Sequence, residues 1–72
     1  MSGTYKLVTL VGTSDKSFEE AIRNAIRDAA GSLRNLAWFE VSEHRGRIDR
    51  GEIVEYQVKL QASFKVESSV NP

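Results

Sequence analysis

The chain has 72 residues, with ten basic and ten acidic side chains, one histidine and no cysteine. That length makes one domain, residues 1–72, marginal as a lone folding unit; without cysteine, neither disulfides nor thiolate-held metals can brace it. Balanced charge argues against a nucleic-acid partner, and neither a signal peptide nor an apolar run of membrane-spanning length is read in the sequence. One histidine and scattered carboxylates give no metal site. Self-association is therefore the expected source of stability, and the composition fits a cytoplasmic protein.

Tyr5 to Val11 is rich in β-formers and reads as a strand, with Leu7, Thr9 and Val11 on one face and Val8 and Leu10 on the other. Apolar residues on both sides mean that neither face is fully wet. Gly12-Thr13-Ser14 follows, a turn and cap in preference to an anion site at a helix N-terminus. Phe18, Ala21, Ile22, Ala25, Ile26, Ala29, Leu33 and Leu36 then recur at helical spacing. Glu20, Arg23, Asn24, Arg27, Asp28 and Arg34 take the opposite side. Ser14 is one candidate cap, and Ser17 with Glu20 has capping-box spacing. Gly31-Ser32 loosens or ends the helix, although the apolar pattern reaches beyond it; a length of about eighteen residues, about 27 Å, is expected.

Two long strands follow, Trp38 to Ile48 and Glu52 to Glu67, joined by a turn at Asp49-Arg50-Gly51. The second alternates cleanly. Val54, Tyr56, Val58, Leu60, Ala62, Phe64 and Val66 point one way and the polar residues between them the other, giving one buried and one solvated face. Residues 68–72 read as a frayed tail. The order βαββ implies an α+β fold in which the last strand lies between the other two. The result is a three-stranded antiparallel sheet curled around one helix. A last strand of about 50 Å outruns the helix, so the sheet either curls or projects.

Trp38, the only tryptophan, alternates away from the side built by Phe39 and Val41. A large aromatic there needs cover from a partner subunit or a planar ligand. With Arg50-Gly51 as a two-residue turn, Trp38 faces Ser63, Glu40 faces Gln61, Ser42 faces Lys59 and His44 faces Gln57. Trp38 and Gln57 then share the polar face, about 20 Å apart along the strands. A site using both forms between subunits. Arg45 and Arg47 carry the core-side parity, so the strand twists or bulges there, or they emerge past the helix.

The strings Leu10-Val11-Gly12-Thr13-Ser14 and Leu36-Ala37-Trp38-Phe39-Glu40-Val41, then Arg45-Gly46 and Glu55-Tyr56-Gln57-Val58, carry a family likeness in their order and spacing. The chain resembles the dodecins, small flavin-binding proteins, over nearly its whole length. The resemblance implies a subunit assembled into a hollow homododecamer that holds flavins, FMN or riboflavin, in stacked pairs at subunit junctions. It places Trp38 under the isoalloxazine ring and Gln57 at the ring's polar edge. Arg45 falls on the phosphate-bearing side, and Lys65 stands where relatives often carry arginine. Lys6, Ser32 and Arg34 are candidates for coenzyme A, which bacterial relatives hold. Ala37 stands where many relatives carry aspartate, which removes a hydrogen bond from the implied flavin set. Asp28, where some relatives carry a basic residue, would repel the phosphates of coenzyme A.

The residues themselves leave alternatives open. Trp38 serves a ligand or merely seals a subunit contact, Arg45 and Arg47 bind phosphate or form surface ion pairs, and His44 is a solvated or interface histidine. No catalytic set is read. There is no cysteine nucleophile and no partner count for a serine triad, and Glu19 and Glu20 suit a helix start. Binding and storage of a flavin is the favoured reading. An oligomeric scaffold without a flavin role, a coenzyme A-binding member, and a flavin- or coenzyme A-dependent enzyme are the other readings.

Overall fold

A computed structural model describes residues 3–67. The elements are β1 (Tyr5–Ser14), α1 (Phe18–Ala30), β2 (Leu36–Asp49) and β3 (Glu52–Lys65). They form one antiparallel sheet in the order β1-β3-β2. This is the βαββ topology expected from the sequence. Residues 68–72, read as a frayed tail, lie outside the described residues.

Helix α1 starts where the capping box placed it. The Ser17 hydroxyl accepts from the Glu20 amide at 2.9 Å, and Ser14 instead stabilises the turn before it, accepting from the Lys16 amide at 2.9 Å. The helix is shorter than its apolar periodicity suggests, 13 residues ending at Ala30. Gly31 caps it, and Asn35 at φ 64° turns the chain back into β2. Leu33 and Leu36 thus leave the helix, and Arg34 sits in the connection, 4.0 Å from the Glu67 carboxylate.

The helix packs on β1 and β3 through an unusually thin interface. Its buried face is Ala21, Ala25 and Ala29, opposed by Val58, Leu60 and Ala62 of β3, all three at 0% exposure. Gly12 of β1 makes the close approach possible. A Cβ there would stand 2.0 Å from the Ala21 carbonyl oxygen and 2.9 Å from the Ala25 methyl. Because α1 lies over β1 and β3, the helix-side face of β2 is left open. Phe39 points to that side yet is 46% exposed, so it is not the core residue expected from its parity. It lines an open groove with Ile22 and Ile26 instead.

A two-residue turn joins β2 to β3, with Arg50 at φ 54° and Gly51 at φ 80°, the signature of a type I′ turn. The molecule measures 60 × 20 × 13 Å, so this hairpin projects beyond the helix. Its tip carries paired Ile48 and Ile53, 71% and 60% exposed.

The register of this hairpin agrees with the sequence reading at Asp49↔Glu52, Glu40↔Gln61 and Trp38↔Ser63, and departs from it between. Arg45, not His44, faces Gln57, and Glu43, not Ser42, faces Lys59. Irregularities cause this. Val54 is the extra residue in β3, and Ser42 in β2 compensates for it further along. Simple alternation carries no information about such inserted residues.

Two glycine variants separate close approach from backbone strain. Gly12→Ala is expected to destabilise by more than about 3 kcal/mol, because a methyl cannot be accommodated against helix backbone. Gly51→Ala, with open space around it, is expected to cost about 1–2 kcal/mol from positive φ alone. Denaturant midpoints check the order, and equal midpoints would contradict the tight helix–sheet contact.

Candidate functional site

The face of the sheet away from α1 is where the site residues gather. Here β2 supplies Trp38, Glu40, Glu43, Arg45 and Arg47, and β3 supplies Glu55, Gln57, Lys59, Gln61 and Ser63. Side chains of cross-strand partners project to the same face, which fixes this set. Two extra residues of β2 decide its membership. Ala37 is one, shifting register between Leu36 and Trp38, so that Leu36 pairs with Phe64 and Trp38 with Ser63. Ser42 is the other, its hydroxyl donating to the Lys59 carbonyl at 3.1 Å. Beyond it Arg45 turns to the polar face, contrary to its parity. His44 turns to the helix side, where its ring meets Phe18 edge-on at 5.1 Å.

Trp38 is 45% exposed and held in place. Its ring centroid lies 4.9 Å from that of Tyr5, tilted by 52°. Its indole Nε1 donates to Glu40 Oε2 at 3.2 Å. Ser63, flanked by Leu7 and Trp38 in the neighbouring strands, is fully buried beneath, and its hydroxyl accepts from the Trp38 amide at 3.3 Å. A small residue at this central position lets the two large rings lie over the sheet. The result is a partly bare, oriented aromatic surface, suited to stacking a flat ring.

At the other end of the same face Arg45 and Gln57 stand directly opposite each other. Arg45 Nε donates to Gln57 Oε1 at 3.0 Å, and Arg45 Nη1 reaches Glu43 Oε1 at 3.3 Å. Gln57 Nε2 donates to Glu55 Oε1 at 2.8 Å, and Arg47 Nε lies 3.7 Å from the same oxygen. Trp38 and Gln57 occupy positions separated along β3 by six residues, as Trp38 pairs with Ser63; that is about 20 Å of strand. One chain does not bring the indole and the amide together.

A third group collects at the end of the sheet where α1 exits. Lys6, Ser32, Arg34, Lys65 and Glu67 line one groove of about 300 Å³. The sequence had assigned Lys65 to one ligand and Lys6, Ser32 and Arg34 to another; the fold places all of them together. Asp28 is not among the lining residues. Tyr5, Glu40 and Glu55 are what sequence reasoning missed. The signal was present in the i, i+2 spacing of Trp38 with Glu40 and of Gln57 with Glu55, which puts each pair on one face of a strand.

A small βαββ protein with an oriented surface tryptophan and a cation–amide pair on one sheet face is a ligand-binding architecture. Comparison with known proteins makes it specific. The dodecin family model matches residues 4–67. A dodecin of Thermus thermophilus is 46% identical over 69 residues, 96% of this chain and 100% of that protein. The solved structure of the Streptomyces coelicolor dodecin superposes with a TM-score of 0.90 at 42% identity, covering 93% of this chain and 96% of that one. A Mycobacterium tuberculosis protein, calcium dodecin, is 32% identical over 62 residues, 86% of this chain and 87% of its own length. The chain belongs to the dodecin family. No helix among the described residues is long and apolar enough to cross a membrane.

Because Trp38 is the only tryptophan, its emission reports the site directly. Glu40→Ala is expected to lower the emission anisotropy by freeing the indole, whereas Glu40→Gln, which keeps an acceptor, holds it near the parent value. Unchanged anisotropy in Glu40→Ala would assign the restraint to Tyr5 alone.

Proposed function

We propose that this protein binds and stores flavins, FMN, riboflavin or a related isoalloxazine, at junctions between its own copies in a homododecamer. The whole chain, residues 1–72, is read as one such subunit. The observation that carries this reading is Trp38, large, half-bare and fixed by Tyr5 and Glu40 on a sheet face whose floor is a buried serine. An indole that served only its own chain's core would be covered by that chain.

The residues fit the group. An electron-poor isoalloxazine gains dispersion and favourable electrostatics on an indole face. Gln57 offers a donor and an acceptor to a pyrimidine-like edge. Arg45 adds a permanent charge of fork geometry for the side that carries phosphate, and Lys65 contributes a further cation. Ala37, one residue from Trp38 and an extra residue of β2, supplies no polar contact of its own. Stacking on tryptophan would quench the flavin's excited state by electron transfer and so shield it from photochemistry. Paired stacked flavins leave no free ring face for a substrate, which supports storage over catalysis.

Self-assembly is supported by what a single chain leaves outside. Leu7, Val11, Phe39, Ile48 and Ile53 are all more than 45% exposed, and the separation of Trp38 from Gln57 calls for a second copy to complete a site. The groove of Lys6, Ser32, Arg34 and Lys65 favours coenzyme A as an additional ligand, since its three cations outnumber the one lining carboxylate, Glu67, which stands 4.0 Å from Arg34. A calcium role has no comparable support here. Among the described residues no group of three or more His, Asp or Glu side chains is disposed to hold a metal ion.

Purified protein is expected to quench FMN fluorescence with an equimolar endpoint, while native mass spectrometry shows a dodecamer. Trp38→Ala is expected to weaken flavin binding by roughly 10- to 100-fold, the worth of one stacking contact, with the assembly intact. A dodecamer that never quenches flavin, or one that dissociates on Trp38→Ala, would favour the scaffold reading.

A further inference from the structure

Gln57 is held between two side chains of opposite hydrogen-bonding character. Arg45 Nε lies 3.0 Å from its oxygen and Glu55 Oε1 lies 2.8 Å from its nitrogen. A guanidinium only donates and a carboxylate only accepts. Of the two orientations of the amide, one makes both bonds. The other sets an NH2 group against the guanidinium and a carbonyl against the carboxylate. The choice is therefore made by the neighbours' chemistry.

The neighbours are themselves anchored. Arg45 also donates through Nη1 to Glu43 at 3.3 Å, and Glu55 lies 3.7 Å from Arg47 Nε. Glu55 is the less exposed member of that ion pair, at 31% against 61% for Arg47. Its i, i+2 position puts it beside Gln57 on the same face of β3. The ladder Glu43–Arg45–Gln57–Glu55–Arg47 alternates acceptor and donor along its length.

We infer that Glu55 is a positioning residue for ligand recognition, fixing the Gln57 amide so that the site presents its two free valences in one order. The remaining lone pair lies on the Arg45 side and the remaining N–H on the Glu55 side. The ligand edge that matches is an imide-type pair, with its N–H toward Arg45 and its adjacent carbonyl toward Glu55. This inference rests on the flavin reading for the identity of the ligand. It adds that the sense of docking, and the rejection of rings lacking that N–H, are set by a residue that need not touch the ring.

Riboflavin and 3-methylriboflavin, which lacks the imide N–H, are the probes. The parent protein is expected to prefer riboflavin by about tenfold, the scale of one hydrogen bond to a pre-oriented group. Glu55→Ala is expected to reduce that preference to about twofold, because Arg45 alone then holds the amide by its oxygen and the group, unanchored at its nitrogen, swings away from the ligand edge. Glu55→Gln, which retains an acceptor oxygen, is expected to restore most of it. A preference that survives in Glu55→Ala, or an equal loss of affinity for both probes, would overturn the inference and leave Glu55 a structural residue.

Neutron diffraction from deuterated crystals without flavin distinguishes the amide nitrogen from the oxygen. Nε2 is expected toward Glu55 in the parent protein, and in Glu55→Ala the oxygen is expected to stay with Arg45 while the nitrogen loses its single position. An amide nitrogen that keeps its parent position in that variant also overturns the inference. If the parent protein binds neither probe while the amide follows Glu55 in this way, the flavin reading is what fails.

Discussion

A β-strand presents alternate residues to opposite faces, and one inserted residue reverses that assignment for everything beyond it. Strand β2 contains two such insertions, at Ala37 and Ser42, and the make-up of the face away from α1 depends on both. The first sends Leu36 to the helix side while Trp38 remains on the open face. The second sends Arg45 to the open face and His44 to Phe18. Without Ser42 and its counterpart Val54 the residue opposite Gln57 would be a histidine, and Arg45 would point toward the helix side of the sheet. The polar ladder on this face is a consequence of strand geometry before it is a consequence of composition.

The other constraint is the shallow core. Gly12 and three alanines bring α1 so close to the sheet that the buried layer holds little beyond Val58, Leu60 and small side chains. A core of this kind contributes little burial for 72 residues, and the larger apolar side chains remain at the surface. Stability and function then draw on the same resource. The side chains that a single subunit leaves bare are those available to bind another copy or a flat ligand.

Pre-organisation links the two ends of the face. The indole is fixed by a tilted tyrosine and a carboxylate, and the glutamine amide by an arginine and a second carboxylate. Groups already oriented lose less entropy when a ligand arrives. Each functional side chain here is paired with a supporting one two positions along its own strand, so the rigidity of the sheet passes directly to the site. Only tertiary pairing brings Tyr5 and Arg45 into that support.

Local pattern was enough to read the order of elements, the Ser17 cap, the type of turn at Arg50-Gly51 and the buried face of β3. Each depends on residues a few positions apart, whose spacing the sequence displays directly. The likeness to dodecins was legible in the same way, as short strings at fixed separations. The early end of the helix, the exposure of Phe39 and the exchange of His44 for Arg45 were not. A helix continues until the backbone finds a better arrangement, and here Gly31 and Asn35 turn the chain back to pair with β3. Phe39 is bare because the helix settled over β1 and β3, a choice made by Gly12 and its alanine partners. The insertions at Ala37, Ser42 and Val54 reflect how two long twisted strands stay paired, a requirement that neither strand carries alone. The sequence by itself determined what the elements are and which aromatic, cationic and amide side chains the strands carry; tertiary pairing decided which of them share a face, because facing depends on register and register on both strands at once.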